Sequence, residues 1–398
     1  MKPKRRLAFR SGLVLALLLI GVPVWIVGRA YRRERATHDL ATALYKDDTR
    51  SALAALRAGA DPNARRFEHD TSPTFGQSLR RFLQQLRGGK TVSDTEPDHR
   101  PPMLVLAAEE NKTAVVQALL KAGAVPDAYA RYAEGYDYEE VGDADDWTCG
   151  KTALMWATGH DNVAMAKAML DRGANPNFNA GYRCNVPLLE TTEPDLMELL
   201  LAHGANLHIE LKSSKCSGLT PLRRVIMSCL WGEGTSQKAR AECYRCVDVL
   251  LAHGADINEN NSTHRGDVYS GYDITAIQWI AQHGEPADVR YLLAKGADPR
   301  LRNEDGWDAL RYAIEDGMAD NMRVLLAHGV DPNKRDKDGS TPLLQAVEHG
   351  EDEPVKVLIA GGAKVNVLDK HGKTALQLAE EDDNGTVADI LRAAGARR

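Results

Sequence analysis

Cys243-Tyr244-Arg245-Cys246 places two thiols three residues apart, with Cys216 and Cys229 nearby in the chain. Thiols at this spacing can pair, respond to oxidants or supply half of a zinc site. A structural zinc draws on two close pairs and only one exists here, so no metal is expected. Cys149 and Cys184 bring the total to six, an even number that an oxidising compartment allows to pair. Cys229 and Cys243 bracket 13 extra residues, and a disulfide between them closes that loop. Cys149 and Cys184 sit at near-equivalent places in successive turns and form a second candidate pair; buried reduced thiols are the alternative. Gly150-Lys151-Thr152 and Gly372-Lys373-Thr374 imitate the end of a phosphate-binding loop, but Asp145 and Val367 occupy the place of its upstream glycine. No G-x-S-x-G and no H-E-x-x-H occurs. His203, His253 and His328 each precede a glycine by one residue, which marks them as structural. No catalytic residue and no cofactor is expected, and the chain does not read as an enzyme.

These residues sit in a recurring frame. Gly-Ala pairs begin at Gly59, Gly123, Gly173, Gly204, Gly254, Gly296, Gly362 and Gly395, with Gly-Val at Gly329. The intervals run 64, 50, 31, 50, 42, 33, 33 and 33 residues. A period of 33 fits a unit of a turn and two antiparallel helices, which must stack on neighbours to bury its apolar face. In Gly339-Ser340-Thr341-Pro342-Leu343-Leu344-Gln345-Ala346, Thr341 can cap a helix that Pro342 opens. Leu343, Ala346 and Val347 share one face of it, and Gly362 ends the second helix of the unit. From Pro102, Thr152, Thr275, Asp308, Thr341 and Thr374 the distance to the terminal glycine is 21 residues, so those helix pairs are intact.

These residues resemble the ankyrin consensus G-x-T-P-L-H-x-A-A … L-L-x-x-G-A-D-x-N over residues 37–396. The resemblance implies an all-α ankyrin-repeat solenoid of about nine helix–turn–helix units joined by β-turns or hairpins. It also implies a concave wall that binds another protein. One departure is systematic. Where the family has a histidine after Thr-Pro-Leu, this chain has Met155, Arg223, Gln278, Arg311, Leu344 or Gln377. The expectation is a lost hydrogen-bond network between repeats and a less stable array.

Extra chain interrupts the period at 64–101, 128–147 and 231–243, and insertions in a solenoid often form its binding surface. The insertion at 128–147 holds Tyr129, Tyr132, Tyr136, Tyr138 and Trp147 among seven acidic residues, a composition suited to a partner interface. Trp307 is a further candidate contact. Packing of these aromatics back onto the repeats is the competing expectation. Within 64–101, Leu79, Phe82, Leu83 and Leu86 predict a short amphipathic helix with a basic polar side.

At the front, residues 1–10 are basic, 11–28 are uncharged and mostly apolar, and 29–36 are expected to be a basic linker to a repeat domain at 37–398. Eighteen residues span about 27 Å as a helix, enough for one transmembrane segment. Five cations precede it and four follow, a weak vote for a cytoplasmic N-terminus. The expectation is a single-pass protein of a bacterial inner membrane with periplasmic repeats; cytoplasmic repeats and a cleaved signal are the alternatives. The net charge of the whole chain is −6, and that of residues 37–398 is −14. Such a domain disfavours nucleic acid and suits a basic protein partner. The expected function is a membrane-anchored adaptor that binds protein without catalysis or small-molecule substrate. A thiol- or metal-responsive module on the repeat-five cysteines, or a structural envelope spacer, are the alternatives.

Overall fold

Thr152, Asp308, Thr341 and Thr374 each stand just before a helix and accept a backbone N–H from three residues on, at 3.2–3.4 Å. Each oxygen satisfies one of the donors that a helix start leaves without an internal partner. The second helix of a pair starts the same way on Asp48, Asn162 or Asn384. It ends at the recurring glycine, whose φ lies between +82° and +96° in all nine cases. Only glycine enters that region without strain.

The computed structural model describes residues 22–64, 101–129, 150–178, 186–208, 220–229, 236–260 and 274–397. Among them are eighteen helices in two compact units, residues 1–191 with 198–206 and residues 192–197 with 207–398. The first unit holds α1 (Val22–Tyr45), α2 (Thr49–Arg57), α3 (Met103–Glu109), α4 (Thr113–Lys121), α5 (Ala153–Gly159), α6 (Val163–Leu170) and α7 (Pro187–Glu190). Helix α8 (Pro194–Ala202) is divided between the units. The second holds α9 (Pro221–Cys229), α10 (Gln237–Ala252), α11 (Ala276–His283), α12 (Pro286–Ala294), α13 (Ala309–Glu315) and α14 (Ala319–Ala327). It continues with α15 (Pro342–His349), α16 (Asp352–Ala360), α17 (Ala375–Glu381) and α18 (Gly385–Ala393).

In the first unit α1 packs on α2, α3 on α4 and α5, and α5 on α6 and α7. In the second, α11, α13, α15 and α17 pack in sequence as one layer and α12, α14, α16 and α18 as another. The core between those layers includes the face read from the sequence at Leu343, Ala346 and Val347, and Leu310, Ile314, Leu325, Leu358, Leu376 and Leu391 are buried with it. Isolated antiparallel bridges join Tyr129 to Thr152 and Leu368 to Thr374.

In five turns an asparagine four residues after the terminal glycine ties the turn to the next; His208 and Arg300 stand there after Gly204 and Gly296. Asn333 Nδ2 donates to Gly362 O at 3.1 Å, and its Oδ1 accepts from Lys364 N at 2.7 Å. Asn63, Asn177, Asn258 and Asn366 repeat both bonds. Asp127 stands at the same place and keeps only an acceptor, which takes Asn175 N at 2.9 Å. Asn333→Ala should therefore cost about 1–2 kcal/mol and Asn333→Asp less, because one carboxamide serves two exposed bonds. Urea midpoints of the two variants check that order.

Three expectations are revised. The missing histidines do not remove the inter-repeat network everywhere. Gln278 accepts from Thr275 N at 2.7 Å and donates to Leu301 O at 2.9 Å and Trp307 O at 3.2 Å, because a carboxamide carries both functions. Arg311 reaches Asp336 and Thr341 O in the next turn. Secondly, part of the insertion at 231–243 is helical: α10 is 16 residues long because its first turns are built from it. Thirdly, the basic segment 29–36 lies inside α1, which runs unbroken for 24 residues. Residues 11–21 of the expected membrane segment lie outside the described residues, as do the amphipathic stretch at 78–87 and most of the insertion at 128–147. Among the described residues no helix is long and apolar enough to cross a membrane.

Candidate functional site

Within a first helix, the residues two, five and six after the cap face the core, so the residue four after the cap points away from it. In the first unit this position holds Leu106, Trp156 and Glu190, and in the second Arg224, Trp279, Tyr312, Gln345 and Leu378. Arg224 is exposed, Gln345 is buried and the rest are half-buried, so from Trp279 onward the second unit carries a row of larger side chains along its first helices.

In the second unit the row is braced. The Trp279 ring meets His283 edge-on at 4.4 Å, and His283 Nδ1 lies 3.2 Å from Oδ2 of Asp316, which caps the end of α13. Gln282 Nε2 donates to the same carboxylate at 3.2 Å. Tyr312 packs edge-on to Trp307 at 5.6 Å and accepts from Asn303 Nδ2 at 3.0 Å. The Arg311 guanidinium lies 5.1 Å over the Trp307 ring. Glu315 accepts from Gln345 Nε2 at 2.9 Å and faces His349 Nε2 at 3.5 Å. Gln345 Oε1 is buried without a hydrogen-bond partner among the described residues.

Beyond this row lie the corners between first and second helices. Segments 315–320, 348–353 and 380–385 hold eleven carboxylates and no lysine or arginine. Arg323 pairs with Asp320 and Glu353, Arg392 with Glu380, and Lys373 with Glu381. Glu348, Glu351, Asp352, Asp382 and Asp383 make no ion pair among the described residues, which leaves the edge acidic.

Burial pushes the Asp308 carboxyl above its ordinary value, against the Arg311 N–H it accepts and the nearby charges of Arg302 and Lys334. Below the ordinary aspartate pKa of about 3.9 both folded and unfolded states hold the proton. As pH rises through the raised folded value, the folded state alone resists losing it, and stability falls. Asp308→Asn keeps the cap. It should be more stable than the parent at pH 7, with the gap closing below pH ~4; denaturation at the two pH values checks it.

Of the residues expected from the sequence, Trp307 joins this site. Tyr129 is half-buried in the first unit with its ring 5.0 Å from Phe178, so it packs on the following turn. Tyr132, Tyr136, Tyr138, Trp147, Cys149 and Cys184 lie outside the described residues. Cys243 is a buried thiol on α10, and of Cys229 only the backbone at the end of α9 is described. Cys246 Sγ donates to Thr192 O at 3.0 Å. No group of three or more His, Cys, Asp or Glu residues among the described residues is arranged to hold a metal. A cavity lined by Leu222, Arg223, Ile226, Glu259, Thr275 and Trp279 measures about 20 Å³, room for one water. Trp156, Trp279 and Tyr312 were not singled out from the sequence. Counting four residues from each cap would have found them.

Residues 235–336 and 325–397 match the family model described as ankyrin repeats (3 copies), and residues 149–180 match that of the ankyrin repeat. An ankyrin repeat protein of fowlpox virus (strain NVSL), FPV031, is similar at 25% identity over 196 residues, covering 48% of this chain and 48% of its own. The match thus spans about half the length of that curated relative. Ankyrin repeats are therefore present in this chain, and such repeats form a protein–protein interaction module.

Proposed function

We propose that this ankyrin-repeat chain is a non-catalytic adaptor that holds a basic protein against the first-helix layer of its second unit. The observation that carries the reading is the coincidence of Trp279, Tyr312 and Trp307 beside an acidic edge. Tryptophan, tyrosine and arginine dominate the few contacts that supply most binding energy. Neighbouring carboxylates speed the approach of a cationic partner and disfavour an anionic one. The aromatic insertion at 128–147 is a separate candidate contact.

The adaptor acts at a membrane in this reading, through the apolar residues 11–28, with the repeats on the periplasmic side of a bacterial inner membrane. Support comes from the uncharged run itself and its flanking cations. The helical course of α1 also passes directly from that run into the first repeat.

A photo-crosslinking residue at Tyr312 in intact cells tests the binding reading, with the same probe at Arg290, exposed on α12, as the control. A discrete protein adduct from position 312 alone is expected. Equal labelling from both positions, or none from either, would refute it. Protease access from the periplasmic side tests the orientation separately.

A further inference from the structure

We infer that the start of α1 is a seat for anionic phospholipid, a claim that rests on the membrane reading of residues 11–28 and adds a lipid class and a site to it. The cleft there measures about 630 Å³, and its walls include Trp25, Ile26, Arg29, Arg32, Arg33 and Gly59. Sites for small ligands usually enclose about 300–1,000 Å³.

Order along the helix carries the argument. Trp25, Arg29, Arg32 and Arg33 fall at i, i+4, i+7 and i+8, so they share one face of α1. Trp25 and Ile26 are exposed, at 58% and 40%, in the last turn of the apolar run. The arginines follow within about 12 Å. Apolar, then aromatic, then cationic is the order in which a helix leaving a bilayer meets hydrocarbon, interface and phosphate. The apolar residues 11–21 precede this face in the sequence, which sets the lipid at the start of α1.

The groups are held in place. Arg29 lies 5.6 Å over the Trp25 ring, a cation–π contact that turns its guanidinium along the cleft. Arg33 pairs with Asp61 at 2.9 Å, and Asp61 N donates to Thr37 Oγ1 at 2.7 Å. These bonds fix the wall formed by Ala58, Gly59 and Ala60 against α1. Arg32 makes no ion pair among the described residues and is exposed. Planar guanidinium groups recognise phosphate oxygens in pairs, which a zwitterionic headgroup shields with its own cation.

The test uses the full chain purified in mild detergent, with retained lipid counted by native mass spectrometry. Phosphatidylglycerol and phosphatidylcholine of the same acyl chains are the probes. The parent protein should retain the anionic lipid preferentially. Arg29→Gln with Arg32→Gln should lower that retention about 10-fold or more and leave phosphatidylcholine unchanged, since each cation near an anionic surface contributes roughly 5-fold. Both side chains are exposed, so unchanged circular dichroism is expected. Equal retention of the two lipids, or an unaffected double variant, overturns the inference. So does displacement of phosphatidylglycerol by millimolar inorganic phosphate, which would mark a simple anion site. Alkaline carbonate extraction of cells reports on the anchor alone: release of the chain would refute the membrane reading whatever the lipid count shows.

Discussion

Methionine in place of Arg240 lowers the stability of the second unit by about 3–5 kcal/mol, seen as a lower urea midpoint with an unchanged slope. Arg240 is 9% exposed and Asp288, its partner on α12, is fully buried. The Asp288 carboxylate also accepts from Tyr244 OH at 2.7 Å and from Glu285 N at 3.0 Å. Burial is the largest single influence on Arg240 and opposes its charge, but its bond to Asp288 and the nearby charges of Asp288 and Glu285 together outweigh it and raise its pKa, so the guanidinium stays charged. Burial and the bond to Asp288 push the Tyr244 hydroxyl well above the usual tyrosine range, so it remains a donor. Without the guanidinium, a buried carboxylate keeps two neutral donors and loses its countercharge. Replacing both ends, Arg240→Met with Asp288→Leu, should recover more than half of the loss, because apolar substitutes do not strand a charge. A single-variant cost below about 1 kcal/mol would show that the pair is solvated in solution.

The same cluster shows where the sequence was legible. Helix starts and ends were readable because caps and terminal glycines are local signals, repeated nine times. The turn asparagines stand at the D-x-N of the consensus, four residues after a terminal glycine, although their partners lie 27 to 60 residues on, at the glycine that ends the next repeat. The Arg240–Asp288 pair had no such signal. Its members are 48 residues apart, across a segment of irregular length. The extension of α10 did carry a helical stripe, Arg240, Cys243, Val247 and Leu250, all buried. It was hidden because an arginine and a cysteine stood where apolar residues are expected. Gln278 was misjudged for a different reason. Residue identity showed that an imidazole was missing, but not that a carboxamide would reach Leu301 O and Trp307 O instead. The aromatic row needed the caps as a common origin. Trp279 and Tyr312 are unremarkable until both are counted as the fourth residue after Thr275 and Asp308.

Alanine at Trp279 or Tyr312 should each weaken partner capture about 30-fold, the equivalent of ~2 kcal/mol, without unfolding the chain. Both rings are half-buried and held from one side, Trp279 by His283 and Tyr312 by Trp307 and Asn303. A partner closing over them removes the remaining apolar surface from water while little side-chain freedom is left to lose, which concentrates binding energy there. The acidic edge acts differently. Glu348→Lys with Glu351→Lys should slow association and flatten its salt dependence, with dissociation nearly unchanged, because exposed charges act on encounter more than on the bound state. The two variant classes therefore separate in kinetics measured by surface capture: ring removal accelerates dissociation, and charge reversal slows association. If the ring variants stay folded and dissociate at the parent rate, the first helices of the second unit do not form the binding face. If charge reversal leaves association unchanged, the partner is not basic.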